Sequence, residues 1–335
     1  MLTLSVLDQS QICEGRTASA ALKETTLLAQ EADLLGYTRY WVAEHHASAA
    51  LASSSPEVLI AHLAAHTKRI RVGSGGVMLS HYSAYKVAEN FRLLEALHPG
   101  RIDVGLGRAP GGMPISTRAL QEGKYTGIDR YPEQVDDLIG YLHDALPAGH
   151  RFAGLQAEPS IPTAPEIWLL GSSSGSSMIA AEKGLAFGYA QFFGVPDSEH
   201  SVHYYKENFK PSAFNDKPRI LAAVYVVCAD TEEAASRLAW STDLFFLKLE
   251  QGRLLDRFPS LQTAEDYPYT EYDLQRIRAV RQRRIIGTPE QVKSKLLAMQ
   301  KQYGIDEFMI VTMTHDFEAR LRSYRLLAEA FQLQG

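Results

Sequence analysis

The sequence predicts an α/β fold, a (β/α)8 TIM barrel with insertions. Three observations carry that expectation. Short apolar runs alternate along the chain with longer stretches of helical periodicity, the pattern of parallel βαβ units. About eight such runs occur, the strand number of a closed barrel. The chain has 335 residues, room for one barrel domain spanning residues 1–335, and no linker-like stretch divides it. A doubly wound open sheet shows the same alternation and is the alternative on pattern alone.

In chain order, LTLSVLD (2–8) reads as the first strand. The following ASAALKETTLLAQEADLL has helical spacing and stops at Gly36. YTRYWVAE is the second strand, rich in aromatic and β-branched residues, and PEVLIAHLAAHT is a helix opened by Pro56. RIRVGSGGVM is a third strand that runs into glycines, followed by a helix closed by Pro99 and Gly100. RIDVGLG is the fourth strand, with a helix through YPEQVDDLIGYLHDAL behind it. EIWLLG and LAFGYAQFF are the fifth and sixth, separated by the helix SSMIAAEKG. The helix HSVHYYKENFK leads to RILAAVYVVCA, the seventh strand, and to the long helix TEEAASRLAWSTDLFFLKLEQ. TPEQVKSKLLAMQKQYG is a helix capped by Thr288 with Pro289 at its first position; IDEFMIVTMT is the eighth strand, and DFEARLRSYRLLAEAFQ the last helix. Residues 252–273 are the least regular stretch and too long for an ordinary connection. The reading is a lid insertion around 252–283, with disorder as the alternative.

Hydrophobic residues make up 45% and charged residues 22%, the balance of a soluble globular protein with a large core. A net charge of −5 argues against nucleic acid as a partner but leaves room for a local anion site. No apolar run reaches the ~20 residues of a membrane-spanning helix. The N-terminus lacks a basic region and carries Asp8, so it does not read as a signal peptide. Cys13 and Cys228 lie far apart in apolar surroundings and are expected as buried free thiols in a reducing cytoplasm.

Barrel chemistry gathers at the C-terminal ends of the strands. In LLGSSSGSSMIAAEKG a strand ends at Gly171, passes Ser172 and Ser173, and enters a helix containing Ser176. Free N–H groups, serine hydroxyls and the helix dipole make such a start an anion site, though a plain helix cap has the same letters. No Gly-Lys-Ser/Thr follows, so it is not a Walker loop. Arg108, closing RIDVGLGR, could clamp a phosphate or form a rim salt bridge. Gly75 and Gly76 stand inside a strand, where glycines mark a bulge or the close approach of a ligand. In YWVAEHHASAA, strand alternation points His45 opposite to Glu44 and His46. Adjacent histidines so arranged do not chelate one metal easily, and the pattern is not HExxH; proton transfer or hydrogen bonding suits them better. No metal is expected.

Four stretches together resemble one family, the bacterial-luciferase-like, flavin-dependent monooxygenases. They are LSVLDQS, YWVAEHH, the run VGSGGVML…AEN…LHPGRIDVGLGRAPG, and WLLGSSSGSS…AAEKGLAF. The C-terminal IIGTPEQV and IDEFMIVTMTHDFEARLRSYRLLAEAF are similar too, so the resemblance covers nearly the whole chain. It is strongest to the single-chain oxidoreductases with unassigned substrates, not to a light-emitting subunit.

The resemblance implies a luciferase-like barrel holding FMN at the strand C-termini. Gly171, Ser172, Ser173 and Ser176 would hold the phosphate, the first serines partly through backbone N–H groups, with Arg108 paired to it. Gly75 and Gly76 would lie under the isoalloxazine, where the family often has a non-proline cis peptide. His45 would sit beside flavin and substrate as an acid/base, Glu44 would support the flavin site from behind, and Asp8 and Ser10 would line the mouth. The implied activity is a monooxygenase that uses reduced FMN and O2 to oxidise a small organic substrate. A separate flavin reductase would supply the reduced FMN, since no nicotinamide fingerprint is evident. A homodimer or larger assembly is implied. Two departures from the family pattern fall near the expected substrate pocket. LSHYSA, with Ser80, Tyr82 and Ala84, stands for LPxHSP, and Gln191 and Phe192 stand where a Ser-His pair is common. Tyr82, Gln191 and Phe192 are therefore candidate pocket residues. Phe245, Phe246, Leu254, Leu255 and Phe258 suggest an apolar ligand or simply core. The rival functions are an FMN- or deazaflavin-dependent reductase or dehydrogenase on the same fold, a non-catalytic flavin-binding protein, and a metal-dependent hydrolase using Glu44 and the histidines.

Overall fold

A computed structural model describes residues 2–122, 130–193 and 199–335. Its strands are β1 (Thr3–Asp8), β2 (Arg39–Val42), β3 (Arg71–Ser74), β4 (Val77–Met78), β5 (Ile102–Gly107), β6 (Glu166–Gly171), β7 (Ala186–Ala190), β8 (Ile220–Cys228), β9 (Ile285–Gly287) and β10 (Glu307–Val311). All their pairings are parallel. The ring runs β1–β2–β3–β5–β6–β7–β8–β10 and returns to β1, because β10 pairs with both β8 and β1. That double pairing closes an eight-strand barrel and rules out an open, doubly wound sheet. The third predicted strand is interrupted: β4 continues β3 beyond Gly75 and Gly76. The three-residue β9, pairing with β8 outside the ring, is too short for periodicity to reveal.

Alternation along each strand divides the apolar residues into two layers. Val6, Tyr40, Val42, Val72, Val104, Leu169, Val224 and Ile310 pack outward with the surrounding helices. Leu7, Trp41, Trp168, Leu221, Ala223 and Met309 form the inner cluster. The N-terminal end of the barrel is closed by charge. Arg39 bonds Asp103 at 2.8 Å, Glu307 at 2.9 Å and Glu166 at 3.1 Å, and Arg71 and Arg219 join the same carboxylates. Trp41 Nε1 donates to Asp103 at 2.9 Å, and Arg39 and Arg219 lie 4.9 and 5.2 Å from the Trp168 ring. With ions and two indoles filling the base, open volume remains only toward the C-terminal ends.

The helices begin and end where the sequence signals them. Gly36 closes the helix Ala18–Leu35 in the left-handed region, at φ 84°. Thr288 and Gln291 form a capping box on the helix Pro289–Tyr303. The segment read as irregular carries the helix Leu261–Glu265 and, behind a Thr270–Asp273 capping box, the helix Glu271–Arg281. Phe258 is fully buried and joined to the chain after β1 through Phe258 N to Ile12 O and Glu14 N to Phe258 O. Cys13 and Cys228 are free and buried, and burial pushes each thiol up to about 12. Among the described residues, no helix is long and apolar enough to cross a membrane.

The β3–β5 seam shapes the barrel's upper half. Gly73 pairs with Asp103, but Val77 pairs with Leu106, so four steps on one side oppose three on the other, a bulge. Within it the Gly75–Gly76 peptide is cis. The Ser74 hydroxyl donates to Gly105 O at 2.9 Å and accepts from Gly105 N at 3.0 Å, replacing the lost ladder bonds. The backbones approach so closely that a Cβ on Gly105 would collide with the Ser74 carbonyl oxygen. Gly105→Ala should therefore destabilise the protein by about 2 kcal/mol or more, read as a lower urea midpoint.

Candidate active site

A cavity of about 530 Å³ opens at the C-terminal end of the barrel, within the size range of small-molecule sites. Its lining includes Glu44, His45, Gly75, Gly76, Arg108, Gly171, Ser172, Ser173, Ser176 and Phe192, residues that five separate stretches of sequence contribute.

One end is built for an anion. Ser173 is the N-cap of the helix Ser174–Lys183, yet its side chain makes no capping bond. Among the described residues, the hydroxyls of Ser172, Ser173 and Ser176 have no hydrogen-bond partner and Arg108 has no carboxylate partner. The Arg108 guanidinium lies against the first helical turn, where a Cβ on Gly175 would come within 2.8 Å of it. Unpaired N–H groups, hydroxyls and a guanidinium thus converge on one point, and a phosphate has the charge and acceptor count to satisfy them.

The glycine bulge and His45 form the next part of the wall. His45 Nε2 lies 2.7 Å from Gln9 Oε1. An amide oxygen only accepts, so Nε2 carries the hydrogen and Nδ1 keeps its lone pair. Burial, and secondarily the neighbouring His46, lower the His45 pKa to about 4, leaving the ring neutral at physiological pH. Glu44 is fully buried. It accepts from His46 Nε2 at 2.6 Å, Tyr82 OH at 2.7 Å and Met78 N at 2.9 Å, fixing the loop after β2 to the strand beyond the bulge. The two histidines therefore face different partners, as alternation requires. Among the described residues, no group of three or more His, Cys, Asp and Glu side chains could hold a metal.

Four expected pocket positions lie elsewhere. Asp8 and Ser10 do not line the cavity, because Leu7 and Gln9 take the inward positions of that strand. Asp8 points outward, accepting from Thr25 at 2.6 Å and Tyr40 at 2.7 Å and pairing with the buried Arg320 at 3.3 Å. Tyr82 lies behind the wall on Glu44, and burial together with that carboxylate raises its phenol pKa. Gln191 bonds weakly to Arg283 O at 3.5 Å outside the cavity, whereas Phe192 does line it. Gln9 was not among the expected residues; the parity of LSVLDQS could have suggested it, since Asp8 and Gln9 must face opposite ways.

The luciferase-like monooxygenase family profile matches residues 2–307. The chain belongs to that family. It is 55% identical over 331 residues to the uncharacterized protein YwcH of Bacillus subtilis (strain 168), covering 99% of both chains. It is 39% identical over 332 residues to the N-acetyl-S-alkylcysteine monooxygenase of the same organism, covering 98% of each. The crystal structure of apo-MsnO8 superposes with a TM-score of 0.89 at 38% identity, over 100% of this chain and 99% of that one. More distant structures share the fold alone. They include the oxygenating constituent of 3,6-diketocamphane monooxygenase in complex with FMN, at 17% identity and TM-score 0.71 over 98% of each chain. They also include an F420-dependent secondary alcohol dehydrogenase, at 12% identity and TM-score 0.68 over 100% and 99%.

For this luciferase-like protein the lowered pKa of His45 sets a stability window. Between pH about 6.5 and about 4 the unfolded chain binds the proton that the folded ring refuses, so stability falls as pH drops through this range. His45→Gln should lose stability less steeply there, measured as urea midpoints at successive pH values.

Proposed function

We propose that the protein is an FMN-dependent monooxygenase acting on a small organic substrate, with reduced FMN supplied by a separate flavin reductase. The observation that carries this reading is the polarity of one cavity. At one end stand Arg108, without a carboxylate partner among the described residues, and a helix start whose N-cap side chain makes no capping bond; bare glycine backbone with a neutral histidine stands beside it. Arg108, Ser173, Ser176 and the N–H groups of Ser172 and Ser173 would hold the phosphate. The Gly75–Gly76 backbone would support the ring system, since no side chain there keeps a flat group away. Bound there, reduced flavin supplies the electrons with which O2 oxidises the substrate. His45 would accept a proton or hydrogen bond at Nδ1 while Gln9 holds its Nε2–H, and Glu44 would keep the loop after β2 in place. Residues 252–283 would cover the mouth and exclude water, anchored through Phe258. The working unit would be a homodimer or larger.

Titration of apoprotein with FMN and riboflavin, followed by flavin fluorescence, tests the phosphate assignment. FMN should bind about tenfold tighter or more, and Arg108→Ala should remove most of that preference while leaving riboflavin affinity unchanged. Equal affinities would overturn the assignment. His45→Ala should impair turnover more than flavin binding. Substrate-dependent oxygen uptake with reduced FMN separates a monooxygenase from a deazaflavin dehydrogenase, which would consume none.

A further inference from the structure

The cavity wall across from the flavin-type features has a different chemistry. In the ring of strands, β7, β8 and β10 stand opposite β2, β3 and β5. Phe192 follows β7, Tyr225 lies on β8, and Phe245 and Phe246 come from the helix Glu232–Glu250. All four line the cavity. Their rings form a continuous chain, Phe192 to Tyr225 at 5.1 Å, Tyr225 to Phe246 at 5.3 Å and Phe246 to Phe245 at 5.4 Å. The cation nearest this chain is already compensated. Arg284 pairs with Asp243 at 2.8 Å and is covered by the rings of Tyr225 and Phe246. One polar group is left on the wall: among the described residues, the half-buried Tyr225 hydroxyl has no hydrogen-bond partner.

We propose that this aromatic wall is the substrate subsite, and that it takes a neutral, largely apolar molecule with one hydrogen-bond acceptor, held by the Tyr225 hydroxyl. The inference rests on the flavin reading only in assigning the opposite wall to the cofactor. Burial holds the Tyr225 phenol well above its usual pKa, so it remains a neutral donor at physiological pH. An acceptor such as a carbonyl oxygen satisfies it. A carboxylate brought against this wall loses its water and finds no free cation there, since Arg108 stands at the phosphate end of the cavity, a large penalty for a buried charge.

Phenylacetone and phenylacetate test this directly, being nearly the same shape and differing in charge; propylbenzene serves as a probe with no acceptor. Binding to the Arg108→Ala apoprotein, which lacks the free cation of the phosphate end, is followed by tryptophan fluorescence, Trp41 lying in the cavity wall, and binding to the protein loaded with oxidised FMN by flavin absorbance. Phenylacetone should saturate the site and bind about tenfold tighter or more than phenylacetate. Tyr225→Phe should weaken phenylacetone about fivefold and leave propylbenzene unchanged. Phenylacetate binding as tightly as phenylacetone would overturn the proposal. So would an equal effect of Tyr225→Phe on both neutral probes, or mutual displacement of phenylacetone and FMN. If FMN shows no preference over riboflavin, the flavin reading fails by itself, and the apoprotein titrations still decide the nature of this wall.

Discussion

The close approach of β3 and β5 is the constraint on which the upper half of the barrel depends. Side chains on Gly73, Gly76 or Gly105 would force the two strands apart: a Cβ on Gly73 would lie 2.6 Å from Asp103 Cβ, and one on Gly76 2.7 Å from Gly105 O. The ladder slips by one residue, and Ser74 fills the gap with one hydroxyl that both donates and accepts. The slip carries bare backbone to the cavity wall. An ordinary strand would present alternating side chains there and shrink the space for a flat ligand.

The closed base complements this opening. Asp103 is fully buried, yet Arg39, Arg71 and the Trp41 N–H all reach its oxygens. Removing one partner would strand a buried charge, so the cluster acts as a unit. It fills the N-terminal end of the barrel and keeps solvent-accessible space to the C-terminal side. The same strands that bury Arg39 and Asp103 at one end deliver His45 and Arg108 at the other.

Around the cavity, polar residues sit in two layers. Gln9, Glu44, His45 and Arg108 line it, while His46 and Tyr82 bond to Glu44 from behind it. The loops after β2 and β5 are tied through His46 N to Gly111 O at 3.0 Å. Tyr82, one of the departures from the family pattern, is tied to the wall through Glu44 and does not line the cavity. Phe192, from the other departure, reaches the cavity, so this change bears directly on what the site can accept.

The sequence by itself determined the barrel, most of its strands, the helix caps at Gly36 and Thr288, and the stretches that meet at the cavity. These rest on local physics: apolar periodicity, backbone propensity, and the N–H groups left free at a helix start. It also showed that His45 opposes Glu44 and His46, because alternation is a property of one strand. It did not show which parity of β1 faces inward, so Asp8 and Ser10 were expected where Leu7 and Gln9 stand. That choice follows from the ring as a whole, in which Asp8 is drawn outward by Thr25, Tyr40 and the distant Arg320. The slip between β3 and β5, the chain of aromatic rings and the place of the Tyr225 hydroxyl on the cavity wall were likewise decided only by the tertiary structure. Each depends on residues far apart in sequence being forced into contact when the sheet closes.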